Sequence, residues 1–503
     1  MSRTTITLDP TAVLAPVRRE LFGSFIEHLG RAVYTGLYEP GHPTADDDGF
    51  RRDVLDLVRE LGVSTVRYPG GNFVSGYRWE DGIGPRESRP TRLDLAWHST
   101  EPNQIGVDEF MAWARKAQVE PMMAVNLGTR GVQEAVDLLE YCNHSRGTMW
   151  SDLRRAQGAT EPYGVRMWCL GNEMDGPWQI GHKTAREYGR FAAETARAMR
   201  MVDPDLTLIA CGSSGADMQT FGAWEATVLD ETYDEVDLIS AHSYFWERDG
   251  DLASFLASGV KLDRFLDEIV ATADHVRARR KSTKRINISV DEWNVWYLEA
   301  EPSQPPTGAD WPVAPPLLED RYSIADAVAV GALIISLLRH SDRVVSASLA
   351  QLVNVIAPIM TEPGGGAWRQ TTFHPFAQAS AAASGVVLVP QIQTDDVQTL
   401  AHGPVPRVDA VATWDPDSAR AATFLVNRST TDRTLVTLDL RALPVAAVTS
   451  CTTLTDADPH RVPDRHEAET FGPRELQSSL DGGRLDLVLP PASWSVVRLQ
   501  VTR

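Results

Sequence analysis

Eight short apolar runs, separated by turns and amphipathic stretches, constrain the fold of this chain more than any other feature. The runs lie at 22–27, 63–69, 121–126, 165–172, 207–211, 236–242, 286–292 and 344–351. Compact, often β-branched runs of this kind are typical of buried parallel strands. Between them, residues 53–61 and 186–202 carry apolar side chains at helical spacing. The rhythm predicts an α/β fold, a (β/α)8 TIM barrel over residues 19–376, with a doubly wound open sheet as the alternative.

Nearly every apolar run ends in a side chain that can form hydrogen bonds or titrate. Examples are Glu27, Asn126, Glu173, Glu292 and Gln351. In a barrel the carboxyl ends of the strands converge on one face, whereas in an open sheet they spread along an edge. Convergence of many groups that can bind hydroxyls indicates a pocket for a sugar.

Residues 377–503 follow a different pattern. Short alternating runs at 421–426, 434–440, 484–489 and 494–501 are separated by Asp, Pro and Gly turns. This pattern predicts a C-terminal antiparallel β-sandwich. Residues 4–8 alternate in the same way, so we expect the N-terminal segment 1–18 to contribute a strand that pairs with the sandwich.

Two glutamates, Glu173 and Glu292, are the candidate catalytic pair. Glycoside cleavage uses one carboxylic acid to protonate the leaving oxygen, and a second carboxylate to attack the anomeric carbon or activate water. These glutamates end the fourth and seventh runs, and those strands lie on roughly opposite sides of a barrel mouth. The structural alternative is that each glutamate only caps the helix that follows.

Five longer motifs carry a resemblance to a known family. They are FGSFIEHLG at 22–30, RYPGGNFVSGYRW at 67–79, WCLGNEMDGPW at 168–178, DEWNVWY at 291–297 and AQLVNVIAPI at 350–359. Together they resemble the α-L-arabinofuranosidases of glycoside hydrolase family 51, which belong to a large clan of retaining enzymes. The similarity is dense over the barrel and thin after about residue 376.

The resemblance implies roles for particular side chains. Glu173 would be the general acid/base and Glu292 the nucleophile. Arg67 would hold the carboxylates in place, with His242 supporting them from the sixth strand. The remaining residues would bind or shape the sugar: Glu27, Asn72, Asn172, Tyr244, Gln351, Trp97 and Trp296.

The chemistry of three of these side chains is consistent with such roles. Asn172 can donate to a sugar hydroxyl, an interaction that strengthens as oxocarbenium charge develops. Arg67 can keep a neighbouring carboxylate ionised. Tyr244 can donate one hydrogen bond to the nucleophile.

The resemblance implies an exo-acting, retaining α-L-arabinofuranosidase that acts on arabinofuranosyl oligosaccharides and forms a homo-oligomer, often a hexamer. The open alternatives on the same scaffold are a galactofuranosidase, a β-xylosidase, an endo-glucanase or a non-enzymatic carbohydrate-binding protein. We expect no metal or other cofactor, because the histidines match no zinc motif such as His-Glu-x-x-His. The linkage preference stays open.

Charge and composition limit the partners and the location. The net charge of −20 disfavours nucleic acid and anionic lipid as partners. The longest apolar run, at 325–338, is interrupted by Asp326 and Ser336 and is short for a membrane span. The N-terminus has no apolar signal segment, and the four cysteines form no C-x-x-C pair. We therefore expect a cytoplasmic enzyme.

Overall fold

A computed structural model describes residues 2–297, 304–468 and 470–502. Eight parallel strands close into a barrel in sequence order, which confirms the predicted TIM barrel. These barrel strands, numbered one to eight below, are Gly23–Phe25, Thr65–Tyr68, Glu120–Ala124, Met167–Leu170, Thr207–Ala210, Leu238–Phe245, Asn287–Val295 and Val344–Leu349.

Barrel strands six and seven extend further toward the mouth than the sequence patterns predict. The predicted strands end at His242 and Glu292, which are neighbours in the parallel pairing of the two strands. The pairing continues past them, so that Tyr244 is the neighbour of Asn294. Side chains in the extra length have partners in the site and the next loop: Tyr244 donates to Glu292, and Asn294 donates to the backbone oxygens of Ala350 and Ile356. Tyr244 consequently lies within a strand.

Helices surround the barrel, and the two predicted from spacing are present. The described part of the chain has ten α-helices: Arg52–Leu61, Val107–Ala117, Val132–Asn143, Met149–Ala156, Ala185–Val202, Ala223–Thr232, Leu252–Leu256, Ser258–Arg280, Ile324–Arg339 and Phe373–Ala382. Short 3-10 turns lie at Arg19–Phe22, Asn72–Gly76, Trp79–Gly82 and Arg86–Ser88.

Two sheets form the predicted C-terminal sandwich, and their apolar faces share one core. One sheet contains, in spatial order, Val13–Pro16, Val386–Leu388, Val408–Asp415, Arg420–Asn427, Ser493–Val501, Val445–Leu454 and Arg474–Glu475. The other contains Gln391–Gln393, Ser2–Thr7, Thr434–Asp439, Arg484–Leu489 and Ser478–Asp481. Three two-stranded ribbons pair Arg92–Asp94 with Ser99–Glu101, Ile359–Thr361 with Ala367–Arg369, and Asp396–Thr399 with Gly403–Pro406.

The N-terminal segment contributes one strand to each sheet. Ser2–Thr7 pairs in parallel with Thr434–Asp439, and Val13–Pro16 pairs with Val386–Leu388. The helix Phe373–Ala382 runs across the expected limit between residues 376 and 377. The division of the chain into 1–18, 19–376 and 377–503 stays a prediction.

The helix Ile324–Arg339 fixes the sandwich against the barrel. It is apolar on almost every side and lies buried between the helix Ser258–Arg280 and the seven-stranded sheet. A helix that is hydrophobic all round is expected to be buried on all sides. Among the described residues, no helix has the length and apolarity needed to cross a membrane.

We expect Gly331→Ala to weaken the contact between this helix and the sandwich. A Cβ atom at Gly331 would overlap the indole of Trp494, far inside van der Waals contact. Overpacking of a core typically costs about 1–3 kcal/mol, which outweighs the better helix propensity of alanine, about 1 kcal/mol. Thermal unfolding should show a lower midpoint for this variant, and no change for Gly41→Ala, where a Cβ meets nothing within 4 Å. An unchanged midpoint for Gly331→Ala would contradict this packing.

Candidate active site

Glu292 lies in barrel strand seven and is held by two donors from neighbouring strands. Its Oε1 accepts a hydrogen bond from Nη2 of Arg67 at 2.5 Å, and its Oε2 accepts one from the hydroxyl of Tyr244 at 2.6 Å. All three side chains point into the mouth because they stand at the carboxyl ends of parallel strands.

These contacts keep Glu292 charged although it is buried. Burial raises the pKa of the carboxyl group, but the charges of His242 and Arg67 and the hydrogen bond from Tyr244 lower it below the ordinary value. A buried carboxylate that is ionised and held by donors is suited to act as a nucleophile.

Glu173 lies just after barrel strand four, on a turn that fixes its direction. Its backbone has a positive φ of 45°, and its side chain is buried. Its Oε2 accepts a hydrogen bond from Nε1 of Trp178 at 2.7 Å, and its Oε1 lies 3.0 Å from Nδ1 of His242. The carboxyl group is therefore oriented by one group from its own loop and one from strand six.

His242 stands between the two glutamates. Its Nδ1 lies 3.0 Å from Glu173 and 3.6 Å from Oε2 of Glu292. Burial lowers the pKa of the imidazole, but the charge of Glu292 and the contact with Glu173 raise it above the ordinary value. The imidazole is therefore more readily protonated than a free histidine, and in that form it places positive charge between two carboxyl groups.

The three residues bring one donor atom each to within 4.8 Å of one another, a spacing that a metal ion could use. Arg67 and His242 already supply positive charge to Glu292 at this point. The arrangement therefore favours proton transfer and ion pairing within the protein.

Two asparagines extend this network along the mouth. Oδ1 of Asn172 accepts from Nη1 of Arg67 at 3.1 Å, and its Nδ2 donates to Oδ1 of Asn72 at 3.2 Å. The orientation of both amides is thus tied to the guanidinium of Arg67, which is itself fully buried and lies over the ring of Phe25.

Glu27 and Gln351 meet on another side of the mouth. Glu27 accepts hydrogen bonds from the backbone N–H of Phe73 at 2.9 Å, from Nε1 of Trp97 at 2.7 Å and from Nε2 of Gln351 at 3.0 Å. Burial raises the pKa of Glu27 to about 8; the donors Phe73 and Trp97 act against the rise, and the charge of Glu292 adds to it. Glu27 can therefore exchange a proton near neutrality.

Two aromatic side chains line an apolar part of the mouth. Trp97 and Trp296 pack against a buried cluster that includes Leu317, Leu318 and Phe25. The ring of Trp296 meets that of Tyr244 edge to face, with centroids 4.9 Å apart. Flat apolar faces beside polar groups suit the C–H surface of a sugar ring.

The structure thus places every site residue predicted from the sequence at the barrel mouth. Asn126, at the end of barrel strand three, instead bonds to Tyr77 and Thr129 in a local turn. No role was predicted from the sequence for Trp178, although it is the last residue of the motif at 168–178. Trp178 is 52% exposed and therefore lies at the surface rather than in the core.

Comparisons with known proteins agree with this geometry. Two family models match, the α-L-arabinofuranosidase 1 domain over residues 57–257 and the α-L-arabinofuranosidase C-terminal domain over residues 291–493. The chain is 57% identical over 496 residues to an intracellular exo-α-(1→5)-L-arabinofuranosidase from Streptomyces lividans, covering 98% of this chain and 74% of that protein. It is 52% identical over 506 residues to an exo-α-(1→6)-L-arabinofuranosidase from Bifidobacterium longum, covering 98% and 97%.

A solved structure gives the same result. The fold superposes on that of a family 51 α-L-arabinofuranosidase from Bifidobacterium longum with a TM-score of 0.96 and 49% identity, covering 99% of this chain and 100% of that one.

The position of His242 between the carboxyl groups leads to a prediction about its titration. In Glu292→Gln we expect the pKa of His242 to fall, because the carboxylate that most favours the imidazolium form is gone. NMR titration of the labelled imidazoles would measure this. Glu60→Gln is the control, since Glu60 pairs with Arg369 rather than with the site. A His242 pKa that is unchanged or higher in Glu292→Gln would show that the two groups are not coupled.

Proposed function

The chain belongs to the α-L-arabinofuranosidases of glycoside hydrolase family 51, and we propose that it is an exo-acting enzyme that works by double displacement with retention of configuration. Its substrates are oligosaccharides with a terminal α-L-arabinofuranosyl residue. The proposal rests above all on the spacing and the unequal surroundings of Glu173 and Glu292.

The spacing favours retention. A carboxylate oxygen of Glu173 lies within 4.8 Å of one of Glu292. Retaining glycosidases hold the two carboxyl groups about 5–5.5 Å apart, whereas inverting enzymes need roughly 6.5–9.5 Å to admit a water molecule.

In the first step, a carboxylate oxygen of Glu292 attacks the anomeric carbon, and the bond from that carbon to the leaving oxygen breaks. Glu173 gives its proton to the leaving oxygen, so the alcohol departs neutral and Glu292 carries the sugar as an ester. In the second step, water attacks the same carbon, Glu173 takes a proton from the water, and Glu292 leaves as a carboxylate.

The surrounding side chains favour this course. Arg67 and Tyr244 hold Glu292 ionised and aimed into the mouth. Asn172 is oriented to donate to a sugar hydroxyl next to the reacting carbon, where the bond strengthens as positive charge develops. Glu27, Gln351, Asn72, Trp97 and Trp296 would surround the rest of the arabinose ring and restrict the pocket to one terminal residue.

The natural linkage remains open within this proposal. The two relatives above are named for different linkages, α-(1→5) and α-(1→6), while the bond to the anomeric carbon is common to both. Linkage preference is therefore set by the leaving-group side of the mouth. We further propose that the enzyme acts inside the cell, because several relatives carry the word intracellular in their names. We also propose that it forms a homo-oligomer and that neither nucleic acid nor membrane is a partner.

Azide trapping tests the roles of the two glutamates. Glu173→Ala should lose about 10²–10⁴-fold on oligosaccharides, the usual contribution of a general acid, but much less on dinitrophenyl α-L-arabinofuranoside. Azide should then intercept the glycosyl-enzyme and yield the α-azide, after two inversions at one carbon. Glu292→Ala should have no glycosyl-enzyme, and azide should yield the β-azide instead. NMR of the products would decide, and the same anomer from both variants would overturn the assignment.

The hydrogen bond from Trp178 should matter most when the leaving group needs a proton. In Trp178→Phe we expect about a tenfold loss of kcat/KM on oligosaccharides, because a hydrogen bond to a charged group is worth about 1.5–3 kcal/mol, and little loss on dinitrophenyl arabinofuranoside. A series of aryl arabinofuranosides would show a steeper dependence on leaving-group acidity. Trp150→Phe, in a helix remote from the site, should behave as wild type. Equal losses on all substrates would mean that Trp178 does not position Glu173.

A further inference from the structure

A cavity of about 360 Å³ opens beside the catalytic mouth. Its walls come from Ala216 after barrel strand five, from the end of strand six and the loop that follows it, from the helix Ser258–Arg280, and from the turn at Ala401 and His402 in the C-terminal part of the chain. This size lies within the range of small-molecule sites, about 300–1,000 Å³. None of the residues assigned to the sugar pocket above lines this cavity except Tyr244.

Tyr244 connects the cavity to the reaction centre. Its hydroxyl donates to Glu292 at 2.6 Å, and the same side chain forms part of the cavity wall. The cavity is therefore separated from the nucleophile by one aromatic side chain. Because the nucleophile lies beside the anomeric carbon, the cavity adjoins, across Tyr244, the place where the arabinose is joined to the rest of the substrate.

The cavity carries positive charge in an acidic protein. Three cations line it, namely Arg248, Lys261 and Arg264, against the two carboxylates Asp251 and Glu268. Asp251 is engaged in capping a helix, where it accepts the backbone N–H of Ser254 at 3.1 Å. The remainder of the chain has a strong excess of acidic residues, since the net charge is −20.

In the described part of the chain, two of these cations form no direct ion pair, although the carboxylate of Asp217 is close enough to interact with the charge of Arg248. Lys261 binds Asp217 at 2.9 Å, but within residues 2–297, 304–468 and 470–502 no carboxylate oxygen lies within 4.0 Å of the guanidinium of Arg248 or Arg264. Arg248 instead stacks over the ring of Trp246, with its central carbon 4.2 Å from the ring centroid.

The titration of His402 is consistent with positive potential in the cavity. Burial lowers the pKa of His402, and the charges of Arg264 and Lys261 lower it further. The imidazole is therefore neutral at pH 7 and does not add to the charge. The charge of Arg428, outside the cavity wall, lowers the pKa in the same way, and a backbone hydrogen bond with Ser254 acts against it.

Hydroxyl groups of a neutral pentose chain can accept hydrogen bonds from the exposed guanidinium groups of Arg248 and Arg264, but they carry no charge to pair with them. A uronic acid residue offers both a flat C–H face for Trp246 and a carboxylate for planar guanidinium groups, which bind carboxylates through paired N–H donors. We propose that this cavity binds the carboxylate of a uronic acid residue in the leaving-group part of the substrate, an inference that rests on the proposed function. The enzyme would thereby prefer arabinose attached near an acidic sugar.

The test compares one substrate in two forms. An arabinofuranosyl oligosaccharide with a uronic acid residue beside the arabinosylated sugar is assayed against its methyl ester, which has nearly the same size and no charge. We expect kcat/KM to favour the acid by about fivefold, the upper range for a solvent-accessible ion pair. The ratio should fall as salt is added, because exposed charges are screened.

Variants of the two arginines test whether these side chains cause the preference for the acid. Arg264→Gln and Arg248→Gln should each lower the acid-to-ester ratio, and the double variant should bring it to about one. Arg285→Gln removes the same charge at the opposite end of the barrel, just before strand seven, and should leave the ratio at its wild-type value. Since each ratio compares two substrates on one protein sample, partial misfolding cancels from it.

The outcomes separate this inference from the proposed function. If the ester is cleaved as well as the acid, the inference is wrong and the arabinofuranosidase activity stands. If neither is cleaved, nor an aryl arabinofuranoside, the proposed function itself fails. If free glucuronate changes the turnover of an aryl arabinofuranoside while the acid-to-ester ratio is one, the cavity binds a free anion and the inference is overturned.

Discussion

Arg67 and Glu292 form an ion pair inside the barrel mouth, and most of the site depends on it. A carboxylate taken out of water is stable as an anion only if charges and donors replace the lost solvent. Arg67 supplies that replacement with one arm of its guanidinium and orients Asn172 with another. Because Asn172 in turn binds Asn72, this one buried cation helps His242 and Tyr244 to keep the nucleophile charged and also sets the direction of two amides.

Glu292 and Glu173 have different surroundings because they stand on different kinds of backbone. Glu292 belongs to a strand, so its position is set by the ladder of backbone hydrogen bonds and it contacts fixed neighbours. Glu173 stands on a left-handed turn after its strand and is held partly by Trp178, a half-exposed side chain from a loop. A nucleophile gains from rigid placement, and Glu173 is oriented instead by contacts from its own loop and from strand six.

The barrel and the core of the site were predictable because they depend on local patterns. Each apolar run predicted a strand, and the polar residue that ended it predicted a place at the mouth, as for Glu27 and Glu292. The ends of strands six and seven were set too early. Beyond the predicted ends, Tyr244 is held by donating to Glu292, and Asn294 is held by donating to the backbone oxygens of Ala350 and Ile356. These partners lie far away in the sequence, so a linear pattern does not show them. The role of Trp178 depends on the path of its loop, including the close approach of its ring to Gly176, and no spacing in the sequence specifies that path.

The parallel pairing of Ser2–Thr7 with Thr434–Asp439 has a consequence for how the protein is made. The first strand leaves the ribosome long before the strand that it will lie beside. Until then its edge is unpaired, and exposed strand edges can associate with other chains. Each barrel strand from the first to the seventh, by contrast, lies beside the barrel strand that follows it in the sequence, so one of its partners is much nearer in the chain. The short and partly polar sequence of the first strand, with three threonines and a serine among six residues, limits its tendency to aggregate during that interval. A fragment cut from the C-terminal end alone would lack one strand from each of its two sheets, so an isolated sandwich would need the N-terminus supplied to it.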